Sequence, residues 1–156
     1  MIAKPLVASA AATAVASLAL GATIAIAPAA HAQEIRHIAS NACWSISPNV
    51  VDAPYRGRIT TTQWLPTERG HLTVYIEHTA SIFGYRTRPQ LAWHNLTSGA
   101  RGHVGTTAYS NPLGEGASVS NFWTGPGKVH LTMLTTSNNR VVTVRSTVCS
   151  TTVRVY

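Results

Sequence analysis

Residues His71–His78 alternate apolar and polar side chains with a period of two. Leu72, Val74 and Ile76 point one way, and His71, Thr73, Tyr75 and Glu77 the other. Shorter segments of the same kind recur from residue 42 onward, separated by Gly, Pro, Asn and Ser, and none sustains a helical period. That pattern restricts the region to an all-β architecture.

Candidate strands fall at 42–47, 58–65, 71–78, 91–96, 102–107, 117–123, 128–135 and 140–149. In the first, Trp44 and Ile46 share one face, and Trp44 is read as core together with Trp93. The segment 81–89 reads as a looser connection carrying Phe83, Tyr85, Arg86 and Arg88. Strands 91–96 and 102–107 form a hairpin around Thr97-Ser98-Gly99-Ala100. A second hairpin joins 117–123 to 128–135 around Thr124-Gly125-Pro126-Gly127. Asn138-Asn139 is a turn pair, because Asn tolerates positive φ. Beyond it Cys149 falls out of step with Val142, Val144 and Val148, so a break is expected at Ser146-Thr147. Seven to nine strands with turns at short intervals give an immunoglobulin-like β-sandwich closed by one disulfide, with a small β-barrel as the alternative.

Residues 1–32 read as a secretory signal peptide: Lys4, then an apolar Ala- and Leu-rich run, then Ala30-His31-Ala32 as an A-x-A cleavage site. Residues 33–156 are then a single domain, secreted to the extracellular space or the cell wall and with no membrane span after cleavage. An exported chain permits a disulfide. The only two cysteines, Cys43 and Cys149, are 106 positions apart and are expected to pair.

Formal net charge is +7, from 12 Lys and Arg against five acids. Cleavage removes Lys4 and no acid. The remaining bases, nearly all Arg, are spread along the chain without the run that marks a nucleic-acid tail, so no nucleic-acid partner is expected. A basic exported domain is drawn to anionic envelope polymers by its long-range field.

Trp93-His94-Asn95-Leu96-Thr97-Ser98-Gly99, with the later Thr124-Gly125-Pro126-Gly127, resembles a pattern of small secreted actinobacterial proteins of unassigned function. Those proteins carry a W-x-N-x-x-[T/S]-G hairpin and a T-G-x-G turn. The resemblance covers about residues 91–135 and implies an exported β-sandwich, with no activity attached. Thr62-Gln63-Trp64 and the stretch 114–120 are similar to secreted bacterial cellulose-binding modules, sandwiches closed by a disulfide between their ends with tryptophans on one face. The chain differs from them in its basic charge and in the residues beyond its second cysteine. Trp64 alone carries over.

Catalytic constellations are sparse. A glycosidase needs two carboxylates about 5–10 Å apart, whereas Glu34, Asp52, Glu68, Glu77 and Glu115 lie in five separate segments. Glu34 is placed at a frayed terminus, and Asp52, Glu68 and Glu115 in solvated turns or loops. Neither G-x-S-x-G nor H-E-x-x-H occurs. Glu77 and His78 adjoin on one strand and so point to opposite faces, which separates the obvious acid–base pair of a small ribonuclease. The histidines lack metal-ligand spacing, although His94 and His103 flank one hairpin and can meet across it if the register allows. No cofactor and no metal are expected.

The binding candidates are Trp64 and Trp123 at strand ends and the basic segment holding Tyr85, Arg86 and Arg88. The expected function is non-catalytic binding of a cell-wall glycan, an anionic envelope polymer or a secreted protein. A structural envelope protein without a ligand site and a small secreted hydrolase or nuclease are the alternatives.

Overall fold

The computed structural model describes residues 32–114 and 116–156 and places ten β-strands among them. The secretory leader read at 1–32 lies, Ala32 apart, outside the described residues. Among those described, no helix is long and apolar enough to cross a membrane.

Strands β1 (Gln33–Ser45), β2 (Tyr55–Leu65), β3 (His71–His78) and β7 (Ala117–Trp123) form a four-stranded sheet in the order β1-β2-β3-β7. Strands β4 (Tyr85–Asn95), β5 (Arg101–Gly105), β8 (Gly127–Asn138) and β10 (Cys149–Val155) make a larger sheet in the order β10-β8-β4-β5. Two short strands complete that six-stranded sheet: β6 (Ala108–Ser110) pairs β4, and β9 (Thr143–Arg145) pairs β8. Every pairing is antiparallel.

Each sheet turns its apolar parity inward. Ile59, Leu72, Val74 and Ile76 from the smaller sheet meet Leu91, Val129, Leu131, Met133 and Val153 from the larger in one buried cluster. This is sandwich packing, in which alternate residues of both sheets make the core. Cys43 on β1 and Cys149 on β10 are bonded, with Cα atoms 5.0 Å apart. His37 Nε2 also lies 3.1 Å from Thr151 Oγ1, and the Trp44 amide donates to Thr147 Oγ1. The outer strands of the two sheets are therefore tied along one side.

The disulfide corrects one expectation. Because Cys43 faces inward, the period of two turns Trp44 and Ile46 outward, and both are exposed rather than core. The Arg56 guanidinium covers the Trp44 ring at 4.0 Å from its centroid, a cation–π contact. Trp93 is half-buried against the core. The expected break at Ser146-Thr147 is present, between β9 and β10.

Two further expectations are corrected. Residues 81–89 are not all connection, since β4 begins at Tyr85 and runs through Pro89. Proline usually marks an edge strand because it lacks an N–H. Pro89 fits here where the neighbour of β4 changes from β5, last paired at Gln90↔Gly105, to β6, first paired at Thr87↔Ala108. Strands β7 and β8 are also not a hairpin. β7 pairs β3, while β8 pairs β4 and β10, so the turn at 124–126 carries the chain from one sheet to the other.

A buried ring nitrogen is left without a partner. His78 is buried beside Tyr55 with ring centroids 5.7 Å apart, and its Nε2 has no hydrogen-bond partner. Burial lowers its pKa to about 4 from an ordinary 6.5. The unfolded chain thus binds more protons than the folded one between those values. The stabilising contribution of the neutral ring is complete above pH 6.5 and is lost as pH falls toward 4. The loss amounts to about 3 kcal/mol at 1.36 kcal/mol per pKa unit. Urea unfolding across that window is expected to show it, and a His78→Leu variant is expected to lose that part of the pH dependence.

Candidate functional site

One end of the sandwich is built around two buried side-chain amides. Gln63 Nε2 donates to the carbonyls of Glu68, His71 and Tyr156 at 2.8–3.1 Å, and Gln63 Oε1 accepts from the Tyr156 amide. Asn95 Nδ2 donates to the carbonyls of Thr124, Gly125 and Pro126 at 2.9–3.1 Å, while Oδ1 accepts from the amides of Thr97 and Ser98. Asn95 thereby ties the β4–β5 turn to the β7–β8 crossover, and the two stretches that carried the actinobacterial resemblance meet at its amide. The Gly70 carbonyl accepts from the Thr124 and Gly125 amides, and the Gly70 amide donates to the Tyr156 carbonyl.

These anchors fix two tryptophans on the rim. Gly70 has φ 72°, and a Cβ there would run into the Trp123 ring. Only glycine allows both the left-handed turn and that close approach. The Trp123 indole also meets the His71 ring edge-on at 4.9 Å. The Trp64 amide donates to Glu68 Oε2, closing the β2–β3 turn beneath it.

Trp64 and Trp123 stand on the outer face of the four-stranded sheet, and they are not alone there. Trp44 and Trp64 are each 44 % exposed, Tyr75 is 46 % exposed and Trp123 58 %. Trp123 is paired with His71, and continuing the β2–β3 register two residues past Thr62↔Thr73 puts Trp64 across from His71. Trp64 and Trp123 are thus two strands apart, about 10 Å by strand spacing. Tyr75, paired with Thr60 and Ser118, lies mid-face, and Trp44, paired with Arg56, lies at the far end. The aromatic rings span the sheet.

Mid-face lies an open groove of about 520 Å³ lined by Glu34, Arg36, Thr60, Thr62, Tyr75 and Glu77 among others, with Tyr75 as its aromatic wall. Glu34 is not a frayed end: it is in β1, paired with Trp64. Glu77 is across from Arg58 and accepts a bond from Thr60 Oγ1 at 3.4 Å. On β2 the partners of these two carboxylates, Trp64 and Arg58, are six residues apart. That sets the two acids about 20 Å apart along the strands at 3.4 Å per residue, too far to act as a glycosidase pair.

The remaining candidates separate. Tyr85 is 2 % exposed and belongs to the core, where burial raises its hydroxyl pKa, so it is no surface ligand. It leads β4 with inward parity, while Arg86 and Arg88 point outward from the six-stranded sheet. They therefore stand on the opposite side of the molecule from Trp64 and Trp123. His94 does not face His103: it is paired with Arg101 and His130, and His103 with Ala92. Among the described residues no group of three or more His, Cys, Asp or Glu is placed to hold a metal ion.

Asp52 is not simply a solvated acid. Its carboxylate accepts bonds from Ser81 Oγ, Asn49 Nδ2 and the Ile82 amide, clamping the 49–52 loop to the 81–84 turn. Burial works to raise its pKa, but those bonds outweigh it and the net shift is downward.

Residue types alone hid two members of the aromatic face. Tyr75 was legible as outward from the β3 alternation, yet nothing marked it as part of a platform. Trp44 was readable only by requiring Cys43 to face Cys149. No protein-family model, curated protein or solved structure gives a significant match to this chain.

Proposed function

We propose that this protein is an exported, non-catalytic β-sandwich that binds a glycan, such as a cell-wall polysaccharide, on the outer face of its four-stranded sheet. The observation that carries this reading is the aromatic row itself. Three tryptophans and a tyrosine expose ring area on one sheet face, and the groove that Tyr75 lines in its middle carries threonine hydroxyls and carboxylates. Sugar rings pair apolar C–H faces with equatorial hydroxyls, and such a surface meets both needs. The Trp123 ring packs against Gly70 and His71, and the Trp64 backbone is held by Glu68, before any ligand arrives, which lowers the ordering cost of binding.

The strand order also supports an immunoglobulin-like topology. β3 beside β7 corresponds to the B–E pair and β10-β8-β4-β5 to G-F-C-C′, with β2 in the place of strand A and β1 added outside it. Export, by way of the leader read at 1–32, places the protein in the cell wall or outside the cell.

The test is co-sedimentation of the oxidised protein with insoluble cell-wall fractions and polysaccharides at low and high salt. Retention on one polymer is expected to survive high salt and to weaken by roughly tenfold, about 1.4 kcal/mol, in Trp64→Ala or Trp123→Ala. Retention abolished by salt, or indifferent to both substitutions, would remove the reading.

A further inference from the structure

The opposite face of the sandwich has a different chemistry. Outward positions on the six-stranded sheet carry Arg86 and Arg88 on β4, Arg101 on β5, Lys128 on β8, Arg145 on β9 and Arg154 on β10, all exposed. Half of the 12 Lys and Arg of the whole chain thus stand on one surface. Glu34 and Glu77 are on the other sheet, and Asp52 and Glu68 are in loops, so among the described residues no strand of this face carries an Asp or Glu. Charges of both signs are normally interspersed on a folded surface, and a single-sign field of this size attracts its counter-ion.

We propose that this face is a second binding surface, for a flexible polymer of phosphodiester-linked polyols. Three observations select that partner. The cations follow the strand repeat: Arg86 and Arg88 are two residues apart, about 6.8 Å, and Arg145 is level with Arg88 through Thr136 of β8. Guanidinium groups set in this way can each grip a successive phosphate bidentately. Between them the face presents Thr132, Thr136, Ser150 and Thr152, which are hydroxyl donors for phosphate or polyol oxygens.

The face also lacks what other polyanions need. The outward positions of β4, β5, β8 and β10 hold no Trp, Tyr or Phe, and the exposed tyrosines of this face, Tyr109 across from Arg86 on β6 and Tyr156 beside Arg154, stand at its margins. Sugar rings of a uronate polymer and bases of a nucleic acid would find no aromatic ring to stack on along those central strands. An anionic membrane would find only Ala92 and Leu134 as apolar side chains at those positions, too little to insert beneath its headgroups. At one end the face opens into a largely polar pocket of about 530 Å³ where Arg86 is joined by Arg140, Asn49, Asn138 and Asn139, with Phe83 and Tyr109 also in its lining, a concave anchor for one phosphate. This surface is independent of the aromatic one, so the protein would link a glycan on one side to a phosphate polymer on the other.

The experiment is a binding titration of the oxidised protein with poly(glycerol phosphate) over a range of salt. A uronate polymer and phosphatidylglycerol vesicles serve as competing probes. Two triple variants are compared: Arg86→Gln/Arg88→Gln/Arg145→Gln on this face and Arg36→Gln/Arg56→Gln/Arg58→Gln on the other sheet. The first is expected to weaken binding about tenfold or more at low salt. It should also flatten the slope of log K against log salt by about 2, from roughly 0.7 per phosphate released. The second variant and Trp64→Ala are expected to leave both quantities nearly unchanged. The proposal is overturned by equal loss in the two triple variants, which would mean net charge alone. It is equally overturned by no binding of poly(glycerol phosphate), or by preference for the uronate polymer or the vesicles. None of these results bears on retention by the aromatic face, which Trp64→Ala tests separately.

Discussion

Removing the disulfide by the double substitution Cys43→Ala and Cys149→Ala is expected to cost the fold roughly 3–5 kcal/mol. The bond closes a loop of 106 residues, most of the described chain, and so withdraws much freedom from the unfolded state. It also has a local task. β1 and β10 belong to different sheets, and the other ties described along that side are a few hydrogen bonds, such as His37 with Thr151 and the reciprocal pair between Trp44 and Thr147 just ahead of β10. Without the covalent link those bonds must hold the side of the sandwich against fraying of β1. The β1–β2 ladder extends from Gln33 to Ser45, so β1 keeps its place beside β2. The variant is therefore expected to fold to the same structure with a much lower urea midpoint. A loss below about 1 kcal/mol would show that the loop-closure argument does not apply to this fold.

Asn95→Asp is expected to be of similar size, about 3–5 kcal/mol, for a different reason. The substitution keeps shape and exchanges donor for acceptor. At a fully buried position, three backbone carbonyls that received the Asn95 amide would then face a carboxyl oxygen. Buried acceptors left unpaired cost about 1–3 kcal/mol each, and an ionised carboxylate there adds its own desolvation. Asn95→Ala releases the Thr97 and Ser98 amides as well. Because Trp123 leads directly into this crossover, both variants are expected to lose glycan retention along with stability. Thermal unfolding checks the first effect and co-sedimentation below the unfolding temperature the second. An Asn95→Asp protein as stable as the parent would mean that the two turns are fixed by something other than this side chain.

Local alternation made much of the fold legible. The bounds of β3 and the break before β10 both follow from side-chain parity, which is set by the backbone. What parity leaves open is which sheet a strand joins. Residues 117–135 carry two alternating segments around a Gly-Pro-Gly turn, the usual signature of a hairpin, and here the same turn bridges two sheets. The difference lies in Asn95, more than two dozen residues upstream, whose amide holds the turn from the side. Pro89 misled in the same way, since the change of neighbour from β5 to β6 that accommodates it is a property of the sheet.

The site was legible residue by residue but not as a surface. Trp64 and Trp123 are recognisable as strand-end aromatics, yet their sharing a face depends on β2, β3 and β7 being neighbours, which no local pattern encodes. Trp44 went astray because an apolar ring in an alternating segment defaults to the core, and the disulfide reverses that parity. Arg86 and Arg88 were read as part of one candidate segment with Tyr85. Strand geometry divides that segment, sending the tyrosine inward and the arginines to the basic outer face of the six-stranded sheet.

The most direct test of glycan binding by the aromatic face is to follow the indole N–H resonances of the four tryptophans by NMR while a soluble oligosaccharide from a retaining polymer is added. The expected result is saturable movement of the Trp64 and Trp123 signals, with the half-buried Trp93 unmoved. Four stationary indole signals in the presence of that ligand, or movement confined to residues of the six-stranded sheet, would contradict it.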